Sequence, residues 1–245
     1  MEKILEVKDL TKIFKNGRGV KDISFDIYKG DVFGFLGPNG AGKTTVMKII
    51  AGLSKANQGE VKIFGYNILN DFEKAMAKVG CIIETAEAFE YLSAYKNLEL
   101  AARFYKDIKK TRIDEVLELV GLNQFKHEKV NNFSLGMKQR LGLASAILSN
   151  PELVILDEPT NGLDIEGTVD IRNTIASLAK EQQVTFLISS HLIHEIELIC
   201  NRIGIINNGI MIKEGLVSEL LNDEYKTLED FFIGQVRAQG GVKHA

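Results

Sequence analysis

Nowhere in this sequence does an apolar run approach the roughly 18 residues that a bilayer-spanning helix needs. The opening Met1-Glu2-Lys3-Ile4 carries no secretory apolar region. A cytoplasmic protein is expected, held at a membrane only by another chain. Cysteine is scarce too. Cys81 and Cys200 stand far apart in apolar runs, which excludes a disulfide scaffold and predicts two buried, reduced thiols. Excess positive charge is also missing. Lys and Arg number 30 against 33 Asp and Glu, a net charge of −3, so no basic field points to nucleic acid. The local run 106–112 is expected to be a solvated helix end or loop. No internal repeat or low-complexity segment occurs. What is present is ordinary for a globular chain: 245 residues, 45% apolar and 26% charged. That is enough for one large domain or a core with an inserted lobe.

Residues 37–45 read Gly37-Pro38-Asn39-Gly40-Ala41-Gly42-Lys43-Thr44-Thr45. They match the phosphate-binding pattern G-x-x-x-x-G-K-[ST] at every fixed position. The apolar run 32–36 leads in, and a helix-like run, 44–50, leads out. Glycines let several N–H groups face one point, and the following helix adds its positive end. Lys43 is expected to reach the β- and γ-phosphates, and the Thr44 hydroxyl to ligate Mg²⁺. A glycine-rich turn that binds nothing has no need of Lys-Thr in register. A nucleoside triphosphate is the expected ligand, and the rest of the chain must say what its hydrolysis drives.

Strand-like and helix-like runs alternate, which predicts an α/β fold with a mainly parallel sheet. Runs 4–10, 23–28 and 31–36 lie close together at the N-terminus, the last two joined by a turn at Lys29-Gly30-Asp31. They read as an antiparallel β region fused to the core. Runs 60–64 and 79–83 are further strands. Runs 153–156, 184–189 and 202–206 are short and apolar, of the buried parallel kind. Between 86 and 150 helix follows helix: 94–105, 112–120 with Gly121 as C-cap, and 135–148 before Asn150-Pro151. One domain is expected, with a core of 1–85 and 151–234, an inserted helical subdomain of 86–150, and a flexible tail at 235–245.

Leu153-Val154-Ile155-Leu156-Asp157-Glu158-Pro159 is an apolar strand ending in two carboxylates. In such sheets ligands bind at the carboxyl ends of strands. Adjacent strand residues face opposite sides, so the two acids can differ in role. Asp157 is expected to hold Mg²⁺, directly or through water, and Glu158 to polarise the water that attacks the γ-phosphate. Pro159 is expected to keep Glu158 extended. Ser134 opens the helix 135–148. It is a favoured N-cap, yet a helix N-terminus with a serine and Gly136 beside it also suits an anion. Two phosphate-binding devices in separate lobes make sense if one nucleotide is clamped between two surfaces.

The phosphate loop 37–45, Phe133-Ser134-Leu135-Gly136-Met137-Lys138-Gln139, Asp157-Glu158, Asn161-Gly162-Leu163-Asp164 and His191 form one ordered set. The set resembles the ATP-binding subunits of ABC transporters, from about residue 2 to about residue 232. The resemblance implies a P-loop NTPase core, ATPase activity, and ATP with Mg²⁺ as cofactors. It implies an integral-membrane permease as partner, and a head-to-tail dimer with a second copy or a homologous ATPase. The chain would then sit on the inner face of the cell membrane through that permease. Roles follow by position. Gly37, Asn39, Gly40, Ala41, Gly42, Lys43, Thr44 and Thr45 hold phosphate. Ser134 and Gly136 touch the γ-phosphate held by the other subunit, and Asp164 links the two sites across the dimer. His191 contacts the γ-phosphate and serves catalysis with Glu158. Phe14 stacks on adenine, unless it is a core phenylalanine.

Two positions depart from the family's usual pattern. Glu84 stands where glutamine is usual, at the end of the run 79–83. A carboxylate also ligates Mg²⁺ but adds negative charge beside the triphosphate; a solvated loop residue is the plain alternative. The signature, usually Leu-Ser-Gly-Gly-Gln, reads Phe133-Ser134-Leu135-Gly136-Met137. Leu135 falls in a helix's first turn, where a Cβ is tolerated, but Met137 cannot make the glutamine's hydrogen bonds. Ile83-Glu84-Thr85, residues 92–98 and residues 134–140 resemble bacitracin- and lantibiotic-immunity exporters. That implies export of antimicrobial peptides or drug-like amphiphiles, and so antibiotic resistance. The alternatives are an importer subunit and a soluble, non-transport ABC ATPase. Several importer types carry an added C-terminal domain, and the soluble class carries two cassettes or long coiled-coil inserts.

Overall fold

The computed structural model describes residues 2–85, 87–221 and 225–240. The chain opens on strands β1 (Lys3–Ile13), β2 (Gly19–Tyr28) and β3 (Val32–Leu36), followed by helix α1 (Lys43–Ile50). Next come β4 (Gln58–Ile63), β5 (Tyr66–Asn67), α2 (Phe72–Met76) and β6 (Val79–Ile82). The helices α3 (Ala94–Ala102), α4 (Lys110–Leu119) and α5 (Leu135–Ile147) follow. The chain then returns through β7 (Leu153–Asp157), α6 (Ile165–Gln182), β8 (Thr185–Ser190) and α7 (Ile193–Ile199). It finishes with β9 (Arg202–Asn207), β10 (Ile210–Leu216), α8 (Val217–Leu220) and α9 (Leu228–Gly240).

The sheet order is β5-β4-β1-β2-β10-β9-β3-β8-β7-β6. From β9 to β6 neighbours run parallel, while β1, β2, β4 and β5 pair antiparallel. Helices or strands cover both faces of the parallel part. β3, β7 and β8 are therefore buried along their whole length, which is why they read as near-continuous apolar runs. On one face Phe33, Phe35 and Leu187 pack with Val46 and Met47 of α1 and with Leu5 and Phe25 of the antiparallel strands. On the other, Leu36, Leu156 and Ile188 share one apolar cluster with Leu98, Val116 and Leu143 of the helical segment. The inserted helices thus finish the sheet's core and do not build a second one.

Ser93 caps α3, its Oγ accepting from Lys96 N at 3.2 Å. Gly121, at φ +69°, ends α4 as expected. Some expectations change. The turn at Lys29-Gly30-Asp31 exists, with Asp31 N donating to Tyr28 O at 3.0 Å. But β3 leaves the antiparallel region there and runs between β8 and β9, because its wholly apolar sequence suits the covered parallel core. Cys81 is exposed, not buried. It lies on the edge strand β6, where Gly80 faces α5; its neighbour therefore points away from that cover. Cys200 is buried, and burial pushes its thiol up. The segment 235–245 begins inside α9, which packs through buried Leu228 and Phe231. Residues 241–245 lie outside the described residues.

A charged cluster pins the base of the sheet. Asp31 accepts from Arg202 Nε at 3.1 Å, Asn201 Nδ2 at 2.9 Å and Tyr28 N at 3.0 Å. The Arg202 guanidinium also lies over the Tyr28 ring, 5.0 Å from its centre. Arg202→Met should leave Asp31 buried without its cation, at a cost of about 2–3 kcal/mol. Thermal unfolding should then begin roughly 5–10 °C lower. An unchanged midpoint would remove this cluster from the account of stability.

Candidate active site

β3, β8 and β7 are neighbours in that order. Leu36 pairs with Ser190, and Ser189 with Asp157. The segments that leave their carboxyl ends therefore emerge side by side: the loop 37–42, Glu158 and His191. This register converts three distant stretches of sequence into one site.

Two glycines of the loop are required by their surroundings. A Cβ on Gly37 would lie 2.3 Å from the backbone oxygen of Ile206. Gly42 has φ +110°, and a Cβ there would lie 2.3 Å from Val20 Cγ1. Asn39 and Gly40 are exposed at the loop's crest, while Ala41 is buried beneath it. Thr44 and Thr45 stand in the first turn of α1, whose N–H groups have no carbonyl one turn back to bond. Lys43 is only 5% exposed. Its Nζ donates to Gly37 O at 2.7 Å and lies 3.0 Å from Glu158 Oε1.

Glu158 sits between two partners. Oε1 faces Lys43, and Oε2 is 2.7 Å from His191 Nδ1. Its backbone is not extended, as Pro159 had implied, but has φ +49°. Glu158 N donates to Ser189 Oγ at 3.0 Å, and Asn161 N donates to Glu158 O at 3.1 Å. These bonds turn the chain sharply out of β7 and override the proline's local preference. Asp157 stays in the strand, buried, with Oδ1 accepting from Ser189 Oγ at 2.6 Å.

Glu84 lies apart from that cluster. It is exposed, its backbone has φ +67°, and its Oε1 is 2.6 Å from Lys48 Nζ on α1. Phe14 is half exposed and not a core residue. It opens a tight turn in which its N donates to Arg18 O at 2.8 Å, and Lys12 Nζ lies 5.6 Å from its ring centre. The strand after that turn brings Val20 against Gly42, so the turn stands beside the phosphate loop. Among the described residues no group of three His, Cys, Asp or Glu is placed to hold a metal ion. The oxygen donors present, Thr44, Asp157 and Glu84, suit Mg²⁺ that arrives with phosphates and keeps its own waters, not a protein cage.

A second constellation lies in the helical segment and the start of α6. Ser134 caps α5, its Oγ accepting from Met137 N at 3.2 Å. Asp164 caps α6, its Oδ1 accepting from Gly167 N at 2.8 Å. The two helix starts are adjacent, for a Cβ on Gly136 would be 3.7 Å from Gly167 Cα. Together with Leu135, Met137 and Arg140 they line an open cavity of about 420 Å³. Two partly positive helix ends side by side can receive an anion from another molecule. Capping is thus confirmed at Ser134, and the exposed Leu135 fits the first turn without a positive φ.

Three supports of the site come from elsewhere in the chain. Ser189 bonds both Asp157 and the Glu158 backbone; a serine at the end of an apolar parallel strand was its signal. Lys48 holds Glu84 and stands one helical turn after Thr44. The Asn208-Gly209 turn, both residues at positive φ, underlies the phosphate loop, with Gly209 N donating to Ala41 O at 3.0 Å. Asn-Gly between two apolar runs is a strong hairpin signal.

The arrangement places a buried ammonium against the loop, bonded to Gly37 O, with a carboxylate 3.0 Å away and an imidazole on that carboxylate's other oxygen. That can grip a phosphate chain and activate a water in line with it. A family model described as ABC transporter matches residues 20–161. The uncharacterized ABC transporter ATP-binding protein YhcH of Bacillus subtilis (strain 168) is 46% identical over 227 residues, covering 93% of this chain and 74% of that protein. The bacitracin transport ATP-binding protein BcrA of Bacillus licheniformis is 43% identical over 229 residues, covering 94% and 75%. A solved dimeric, post-hydrolysis ATP-binding cassette, MJ0796 bound to ADP and Pi, superposes with a TM-score of 0.78 at 27% identity, covering 87% of this chain and 99% of that one. The chain therefore belongs to the ABC transporter family, as an ATP-binding subunit and ATPase.

Proposed function

We propose that this chain hydrolyses ATP at a site completed by a second subunit, and so powers a membrane permease that exports antimicrobial-peptide-like amphiphiles. The observation that carries the chemistry is the meeting of Lys43, Glu158 and His191 at neighbouring strand ends. The loop from Gly37 to Thr45 binds the triphosphate, with Lys43 exchanging Glu158 for phosphate oxygens. Glu158, released from Lys43, accepts a proton at its carboxylate from the attacking water. His191 holds Glu158 by Nδ1 and leaves its other ring nitrogen for the γ-phosphate. Thr44, Asp157 and Glu84 would hold Mg²⁺, which neutralises developing charge on the phosphates. Phe14 offers its exposed face to adenine, a contact that selects little among bases.

Ser134 and Gly136 of one copy cover the γ-phosphate on the other copy, and Asp164 borders that seam. Closure of two copies around ATP is the power step, and hydrolysis reopens them. The permease is received in an apolar groove of about 450 Å³ lined by Phe89, Leu98, Ala101, Phe104 and Leu141. Phe104 is 89% exposed and Phe89 54%, which is costly unless something covers them. No helix among the described residues is long and apolar enough to cross a membrane. The exporter direction is supported by the likeness to the bacitracin transport protein across 94% of this chain, and by Glu84 with the 134–140 pattern.

Co-expression with the neighbouring permease gene tests this reading. The chain should move to the membrane fraction, and the cells should tolerate more of one peptide antibiotic. Phe104→Asp should return the chain to the soluble fraction while ATP turnover by the purified chain stays within about twofold. If the permease fails to recruit the chain, or if deletion impairs nutrient uptake, export is the wrong reading and the ATPase remains.

A further inference from the structure

Glu84 has a partner that nothing in the phosphate-binding chemistry requires. Its Oε1 lies 2.6 Å from Lys48 Nζ. Lys48 and Thr44 are four residues apart on α1, so they share one face of the helix. The ion pair therefore draws Glu84 toward the face that bears the Thr44 hydroxyl. Glu84 is also held in an uncommon conformation. Its φ of +67° and the bond from Thr85 N to Ile83 O at 3.0 Å form a tight γ-turn of the rare, strained kind. Such a conformation persists only where surrounding contacts hold it. A glutamine could not form an ion pair with Lys48.

We propose that Lys48 is the positioning partner of Glu84. It balances the charge of a carboxylate standing at a metal site, and it competes with the metal ion for that carboxylate. This rests on the reading of Gly37–Thr45 as the nucleotide loop.

The test is a cycle of Lys48→Met, Glu84→Gln and the double variant. Mn²⁺ is titrated into the chain loaded with a non-hydrolysable ATP analogue, and free Mn²⁺ is read by electron paramagnetic resonance. Both side chains are at least one-third exposed, and circular dichroism checks that each variant folds. Lys48→Met should tighten Mn²⁺ binding roughly twofold to fivefold, the range of one partly exposed charge pair. Glu84→Gln should weaken it, and the double variant should match Glu84→Gln alone, because Lys48 acts only through Glu84. Unchanged Mn²⁺ affinity in Lys48→Met, or strictly additive effects in the double variant, would overturn the proposal. Analogue binding measured at saturating Mg²⁺ separates the two levels. A chain that binds no analogue overturns the proposed function itself, whereas one that binds it with no response to Lys48→Met loses only the role of Lys48.

Discussion

Glu158→Gln is expected to bind MgATP and to hydrolyse it roughly 10²- to 10⁴-fold more slowly than the unaltered chain. The substitution keeps the side chain's size and its contact with His191 Nδ1, 2.7 Å away. It removes the one property the mechanism needs, a carboxylate able to accept a proton. The loss should therefore fall on turnover and spare binding. Phosphate release at saturating ATP measures the first, and fluorescence titration of nucleotide the second. The stalled complex should also run as a dimer in size-exclusion chromatography with MgATP if, as proposed, the bound nucleotide joins two copies. Turnover within threefold of the unaltered chain would take the role of base away from Glu158.

Lys43→Ala is expected to weaken ATP binding by about 2–5 kcal/mol, roughly 30-fold to several thousand-fold, the cost of removing one partner from a buried, hydrogen-bonded charge pair. The structure adds a second effect. Lys43 is buried and paired with Glu158, so the substitution also strands a carboxylate. A loss of about 2 kcal/mol of stability should accompany the loss of binding. The double variant Lys43→Ala, Glu158→Gln should regain much of that stability and none of the binding, because a neutral amide needs no cation. Calorimetry on the three variants reads the stability, and nucleotide titration reads the binding. ATP affinity within threefold of normal in Lys43→Ala would remove residues 37–45 from the nucleotide site.

The sequence was most legible where backbone chemistry leaves few choices. The spacing of Gly37, Gly42 and Lys43 needs a strand before it and a helix after it, and both are there. Ser134 and Asp164 cap helices whose N-termini come together. Gly121 marks the end of α4 because its positive φ costs glycine little. Long-range pairing was less legible. Nothing local distinguishes an apolar strand that joins the antiparallel region from one that threads the parallel core, and β3 takes neighbours, β8 and β9, that its own sequence does not announce. Cys81 sits in an apolar run, and only its place on the edge strand exposes it.

Within the site, the sequence named Lys43, Glu158 and His191, which the fold brings together, and missed what aims them. Pro159 biases its neighbour by local sterics alone. The bonds from Ser189 and the pull of Lys43 and His191, all contributed from far along the chain, set Glu158 at positive φ instead. The Lys48–Glu84 pair was hidden for the same reason. A lysine on α1 carries no sign of its partner until the turn after β6 is brought to it.

In the proposed mechanism each ATP is hydrolysed between two copies of this chain. Phosphate release per chain, measured across a dilution series of the purified protein at saturating MgATP, tests it most directly. Turnover per chain should rise with protein concentration and then level off as dimers fill, and Lys43→Ala should remove the whole curve. Turnover per chain that is already full at the lowest concentration and flat throughout would mean that a single copy carries the complete site, contradicting the account.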